Sequence, residues 1–170
     1  MLVAACSTPL EETATIGSAS TAPTHASSTT LEPVPTTSRS TITTVDRGDL
    51  AFWDVVTVQI DQRSLLLALA DDPEERSQGL MGVEDLGGLD GMLFVFPTDT
   101  NGAFWMKDTL IALDIAFFDG DGLLVEALTM EPCVADPCPR YHPNGIYRWA
   151  VEAPAGGLSD LGGQARLTIP

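Results

Sequence analysis

Leu113-Asp114-Ile115-Ala116-Phe117-Phe118-Asp119-Gly120-Asp121-Gly122-Leu123-Leu124-Val125-Glu126-Ala127-Leu128 is two short apolar runs on either side of a carboxylate–glycine turn. Runs this short, bounded by turn residues, read as strands and not as helices. Carboxylates alternating with glycines suggest a calcium loop, but the later ligands and the bidentate glutamate of an EF-hand are missing. A tight hairpin turn accounts for the same residues without a metal. Outward from this hairpin the pattern repeats. Val55-Val56-Thr57-Val58-Gln59-Ile60 and residues 64–70 predict a second hairpin, and Met92-Leu93-Phe94-Val95-Phe96 a buried strand stopped by Pro97. Residues 103–107, 147–152 and 165–169 predict three more strands, with a short helical turn over 155–161. One true helix start stands out: Asp72 as N-cap, Pro73 at the first helical position and Glu75 three residues after the cap, closed soon after by Gly79 and Gly82. The expected fold is therefore mainly β with short helices, a β-sandwich or distorted barrel.

Lys107 is the only lysine in the chain, set in Phe104-Trp105-Met106-Lys107-Asp108-Thr109. An ammonium is a compact charge whose pKa moves readily on desolvation, so a lone lysine here marks a candidate site. Strand alternation puts Phe104 and Met106 on one face and Trp105 and Lys107 on the other. In the 113–118 strand Leu113, Ile115 and Phe117 share a side, and Asp114 lies opposite with Ala116. If these strands pair, Asp114 reaches Lys107. The expected site is a groove in which Lys107 binds an anion or moves a proton, Asp114 or Asp108 sets its charge, and Trp105 supplies a wall. A structural ion pair shielded by the tryptophan explains the same residues. Arg76, on the short helix, is a further candidate for clamping a carboxylate or phosphate, or a partner for the helix's own glutamates. No nucleophile elbow, phosphate-cradling loop or dinucleotide fingerprint is present. Paired carboxylates of a hydrolase could come from separate strands. No metal or cofactor is expected.

The chain divides near Asp49. Residues 7–48 are rich in Ser, Thr, Ala and Pro and hold no aromatic. Such a stretch buries too little apolar surface to order itself and reads as a disordered tether, and residues 49–170 as one globular domain. Residues 1–6 read as the remnant of a lipoprotein signal ending in Cys6, the expected lipidation site and membrane anchor. The given start lacks a basic region and a full apolar core, so the signal is expected to begin further upstream. Cys133 and Cys138, flanked by prolines, then form an even pair suited to a disulfide in an oxidising compartment. A metal site completed by His142 is the alternative, but too few ligands are available for it. Location is expected to be extracytoplasmic, membrane-anchored or secreted. The formal net charge of -16 argues against nucleic acid as a partner.

The blocks Glu75-Arg76-Ser77-Gln78-Gly79-Leu80-Met81, Gly91-Met92-Leu93-Phe94-Val95-Phe96, Phe104-Trp105-Met106-Lys107-Asp108-Thr109 and Leu113-Asp114-Ile115 resemble, in order, the family called domain of unknown function 192. The resemblance runs from about Val55 to the end. It implies a small jelly-roll-like β domain, found in bacteria and archaea and often exported, and brings no established reaction. The chain departs from the family in having Asp108 for the usual asparagine and Ala112 for the usual proline. An aspartate beside Lys107 adds a possible ion partner. The functional expectation is an exported, lipid-anchored domain that binds a small anionic or sugar-like ligand, a small molecule or glycan, at the cell envelope. The alternatives are an envelope hydrolase or lyase using Lys107 and carboxylates of the same groove, and a purely structural module.

Overall fold

The computed structural model describes residues 48–169. Cys6, and all but the last residue of the 7–48 stretch, lie outside the described residues. A 3-10 turn over Gly48–Leu50 leads into β1 (Val55–Ile60) and β2 (Arg63–Ala70), then α1 (Pro73–Gln78). The remaining elements are β3 (Gly91–Thr100), β4 (Phe104–Trp105), β5 (Leu113–Phe118), β6 (Leu124–Met130), β7 (Arg140–Tyr141), β8 (Tyr147–Pro154) and β9 (Leu167–Thr168). Seven strands form one sheet in the order β6-β5-β8-β3-β2-β1-β9, and β4 pairs with β7 in a separate two-stranded ribbon.

The sheet is curled, and its two edges meet through the C-terminal segment. On one side Ile60 stands opposite Leu167. On the other, Leu123 bridges Arg166, Leu124 N–H donates to Ala165 O at 2.9 Å, and Leu167 N–H donates to Gly122 O at 2.7 Å. Of the two expected architectures, the distorted barrel is the one formed. All neighbouring pairs are antiparallel except β2–β3, which run parallel with α1 in the connection.

Both faces of the middle of the sheet are buried. One carries Val58, Leu67, Leu93, Ala116, Phe118 and Val151, closed over by Leu158 and Leu167. The other carries Ala70, Met92, Phe94, Ile115, Phe117 and Ala150, covered by Leu80, Val83 and Met106. A strand covered on both sides has no solvent face, which is why all six residues of β5 are buried.

Several expected elements form as read. α1 has its full capping box, with Glu75 N–H donating to Asp72 and the Glu75 carboxylate accepting from the Asp72 N–H. The β5–β6 turn is held by Asp119, whose Oδ1 accepts from the N–H groups of Asp121 and Leu123, both at 2.9 Å. β3 differs. It runs through Pro97 to Thr100, because its register against β8 shifts between Val95 and Thr100 and no ladder donor is demanded of the proline. Gly91, at the start of β3, has no room for a side chain: a Cβ there would collide with the Glu152 carbonyl of β8.

Candidate functional site

A groove lies between α1 and β4. Its helix side is Pro73, Arg76 and Ser77; its strand side is Phe104 and Trp105. At one end the walls are Phe96, Gly102 and Tyr147, and at the other Gly79, Leu80, Phe94, Thr109 and Glu152. The capping box fixes where the helix begins, and the contacts of Arg76 with β3 turn its Arg76–Ser77 face to the groove. Phe104 is the keystone of the other wall, edge-on to Phe94 at 5.0 Å and to Phe117 at 5.6 Å. Buried edge-to-face contacts of this kind hold a ring in one orientation. Tyr147 closes the end by donating its hydroxyl to Gly102 O at 2.9 Å, and burial pushes its pKa up to about 12.

Arg76 is fixed by its own main-chain contacts. Nη1 donates to the carbonyls of Asp71 and Val95, the latter at 2.9 Å, and the guanidinium lies 5.3 Å from the centre of the Phe96 ring. Both hydrogen bonds use Nη1, so among the described residues Nε and Nη2 have no acceptor. Trp105 is half-exposed, and on it lies Arg140 of β7, 5.2 Å from the ring centre. The pairing of Trp105 with Arg140 in the β4–β7 ribbon accounts for this stacking.

The other expected site residues lie elsewhere. Lys107 faces away from the groove and its Nζ donates to Asp136 Oδ2 at 2.8 Å, in the loop closed by the Cys133–Cys138 disulfide. That hydrogen bond is the chief reason its pKa is raised, with smaller charge contributions from Asp136 and then Asp108. Asp108 is exposed with φ 52°, a left-handed conformation that aspartate tolerates. Its main chain does the holding: Asp108 N–H donates to Cys133 O, and Gly82 N–H donates to Asp108 O, each at 2.9 Å. Asp114 does not reach Lys107, because β5 pairs with β6 and β8 while β4 pairs with β7. It is buried on the opposite face, where its carboxylate accepts from Thr129 Oγ1 at 2.7 Å, Gly156 N–H at 2.8 Å and Leu158 N–H at 3.0 Å. Asp114 therefore staples the 155–158 turn to the sheet. Of the five expected residues, Arg76 and Trp105 share the groove.

Glu152 escaped the sequence reading. It sits in mid-sheet on β8, between Met92 of β3 and Ile115 of β5, and only 4 % of its surface is exposed. Among the described residues it makes no ion pair and no side-chain hydrogen bond, yet it lines the closed end of the groove. Burial raises its pKa from 4.5 to about 8, so the carboxyl is mainly protonated at neutral pH. A protonated carboxyl can both donate and accept, whereas the guanidinium across the groove can only donate.

Residues 56–166 match the family described as domain of unknown function 192, uncharacterized ACR. No curated protein matches. Two solved structures are similar. One, from Sinorhizobium meliloti 1021 and provisionally described as a transcription regulator, is 26% identical, with a TM-score of 0.60 over 69% of this chain and 95% of that one. The other, a protein of unknown function from Novosphingobium aromaticivorans DSM 12444, is 22% identical, with a TM-score of 0.58 over 67% of this chain and 84% of that one.

Proposed function

The chain belongs to the domain of unknown function 192 family, and on that premise we propose that it is a ligand-binding domain of the cell envelope. It would be exported and lipid-anchored through Cys6, and would take a small anionic or sugar-like ligand in the groove between α1 and β4. The observation that carries this reading is the groove itself. Aromatic walls from Phe96, Phe104 and Trp105 flank a guanidinium whose Nε and Nη2 have no acceptor among the described residues. Aromatic faces with a few convergent polar groups are the usual make-up of a small-ligand site. The disulfide suits an oxidising compartment. The net charge of -16 opposes any reading in which this chain itself holds DNA.

The test is a thermal-shift screen of sugars and small organic acids on the full chain. A ligand present at about a hundred times its Kd should stabilise the fold by roughly 2.7 kcal/mol. Arg76→Ala and Trp105→Ala should lose that gain. A panel without hits, or hits unaffected by both changes, overturns the reading. A hydrolase or lyase in the same groove is the second reading, favoured by Glu152: an acid that keeps its proton to about pH 8 can supply one to a leaving oxygen. Turnover of any ligand found, lost in Glu152→Gln, would establish it.

A further inference from the structure

Resting on that groove reading, we infer that the ligand is a small aromatic carboxylate: its ring packs among Phe96, Phe104 and Trp105, and its carboxylate takes the open edge of Arg76. Arg76 is a cation that the protein orients yet leaves without a counter-ion. In a chain with 24 acidic and 8 basic residues, Arg63, Lys107 and Arg148 each pair with an aspartate, and among the described residues Arg76 does not. Its acidic neighbours in sequence are committed to the capping box. Asp72 accepts from the Glu75 N–H at 2.8 Å, and Glu75 accepts from the N–H groups of Asp71 and Asp72. Nη1 anchors the guanidinium to Asp71 O and Val95 O beside the Phe96 ring. The remaining Nε and Nη2 lie on one edge of the guanidinium, the fork that meets both oxygens of a carboxylate. Neither is sealed from solvent: the one buried side-chain nitrogen without a partner among the described residues is Arg63 Nε.

The rest of this end of the groove favours an acid over a sugar. Its hydroxyls are already used as donors, Ser77 to Pro73 O at 2.7 Å and Tyr147 to Gly102 O at 2.9 Å. Pro73, Phe96, Ala103 and Phe104 bring no polar side-chain atom. The side-chain donors left over are the Arg76 edge and the Trp105 indole N–H, and neither of them accepts. A sugar carries hydroxyls on several sides, and each loses free energy when buried without a partner. A flat apolar body with one acceptor group avoids that cost. Phe96 meets Tyr147 edge-on at 5.3 Å and Phe104 at 6.4 Å, so an added ring extends a cluster of the kind aromatic side chains prefer. The space is about 390 Å³, near the lower end of the roughly 300–1,000 Å³ of small-ligand sites, which suits a single substituted ring. Arg140, 5.2 Å from the Trp105 ring centre, adds a second cation with no carboxylate partner among the described residues at that wall.

The experiment is titration calorimetry on the full chain at pH 7 with four probes: phenylacetate, its uncharged counterpart phenylacetamide, acetate, which has the charge without the ring, and glucose. Phenylacetate is expected to bind at least tenfold more tightly than each of the other three. Arg76→Gln should bring phenylacetate down to the level of phenylacetamide and leave phenylacetamide as it was, while Trp105→Ala should weaken both. If the glutamine variant does not fold, a salt series on the unaltered chain decides: phenylacetate should weaken as NaCl rises from 20 to 500 mM, and phenylacetamide should not. Phenylacetamide or acetate binding as tightly as phenylacetate overturns the inference, as does phenylacetate affinity that ignores both Arg76→Gln and salt. Glucose binding that Trp105→Ala removes, with no binding of phenylacetate, overturns this inference and leaves the groove reading standing. No binding by any of the four, or by any member of the thermal-shift panel, overturns both.

Discussion

Replacing Glu152 with glutamine should reshape the pH dependence of stability. Burial raises its pKa from 4.5 to about 8. Between those values the folded state holds a proton that the unfolded chain has released, so stability falls as pH rises. The slope is about 1.4 kcal/mol per pH unit. Stability is complete below pH 4.5, and over the interval of about 3.5 units roughly 5 kcal/mol is lost by pH 8. Glutamine keeps the shape and does not titrate. Urea unfolding of both proteins at pH 5, 6, 7, 8 and 9 supplies the assay. Any constant offset from burying an amide cancels when the difference between the two is followed across pH. So does the opposite contribution of Asp49, whose pKa is lowered by N–H donors from Glu84 and then Asp85. The stability of Glu152→Gln relative to wild type should climb by several kcal/mol from pH 5 to 8 and level off above. A difference that stays flat over this range refutes the reasoning, because Glu152 would then titrate alike in the folded and unfolded chain.

Asp114→Ala should cost about 3 kcal/mol in urea unfolding, since it strands the N–H groups of Gly156 and Leu158 that the carboxylate now accepts from. Lys107→Met removes a solvent-screened ion pair with Asp136 and should leave the urea midpoint nearly unchanged. It should also leave groove binding untouched in the thermal-shift screen, whereas a large loss of binding would return Lys107 to the site. Cys133→Ser with Cys138→Ser opens a short loop, with an expected cost of about 2 kcal/mol by the loop-entropy estimate, read as a lower urea midpoint without reducing agent.

Local chemistry was the legible part of the fold. The Asp72-Pro73-Glu75 start, the Asp119–Gly122 turn and the apolar runs of β1 and β5 each carry their signal within a few residues. Pro97 misled because a proline ends a strand only where its N–H is wanted by the ladder, and the register shift in β3 removes that demand. The site was half legible. Arg76 and Trp105 stood out by type and reach the groove, but the partner of β4 is β7, some 35 residues on, and no periodicity announces a long-range pairing. Hence strand alternation puts Asp114 on the face of Ala116 but carries no signal that its carboxylate binds the 155–158 turn instead of Lys107. Glu152 was invisible for a related reason. At the end of Tyr147-Arg148-Trp149-Ala150-Val151-Glu152 it looks like the solvent end of a strand. The cover over that face comes from the turn after α1 and the segment after β4, both distant in sequence. Its one clue was a glutamate two residues from Ala150 on the same strand face, followed by apolar Ala153.

The most direct test of the account is a carbon-13 NMR titration of the Glu152 side-chain carboxyl in the full chain. A midpoint near pH 8 is the predicted result. A midpoint in the ordinary carboxylate range would contradict the burial of an uncharged Glu152 between β3 and β5.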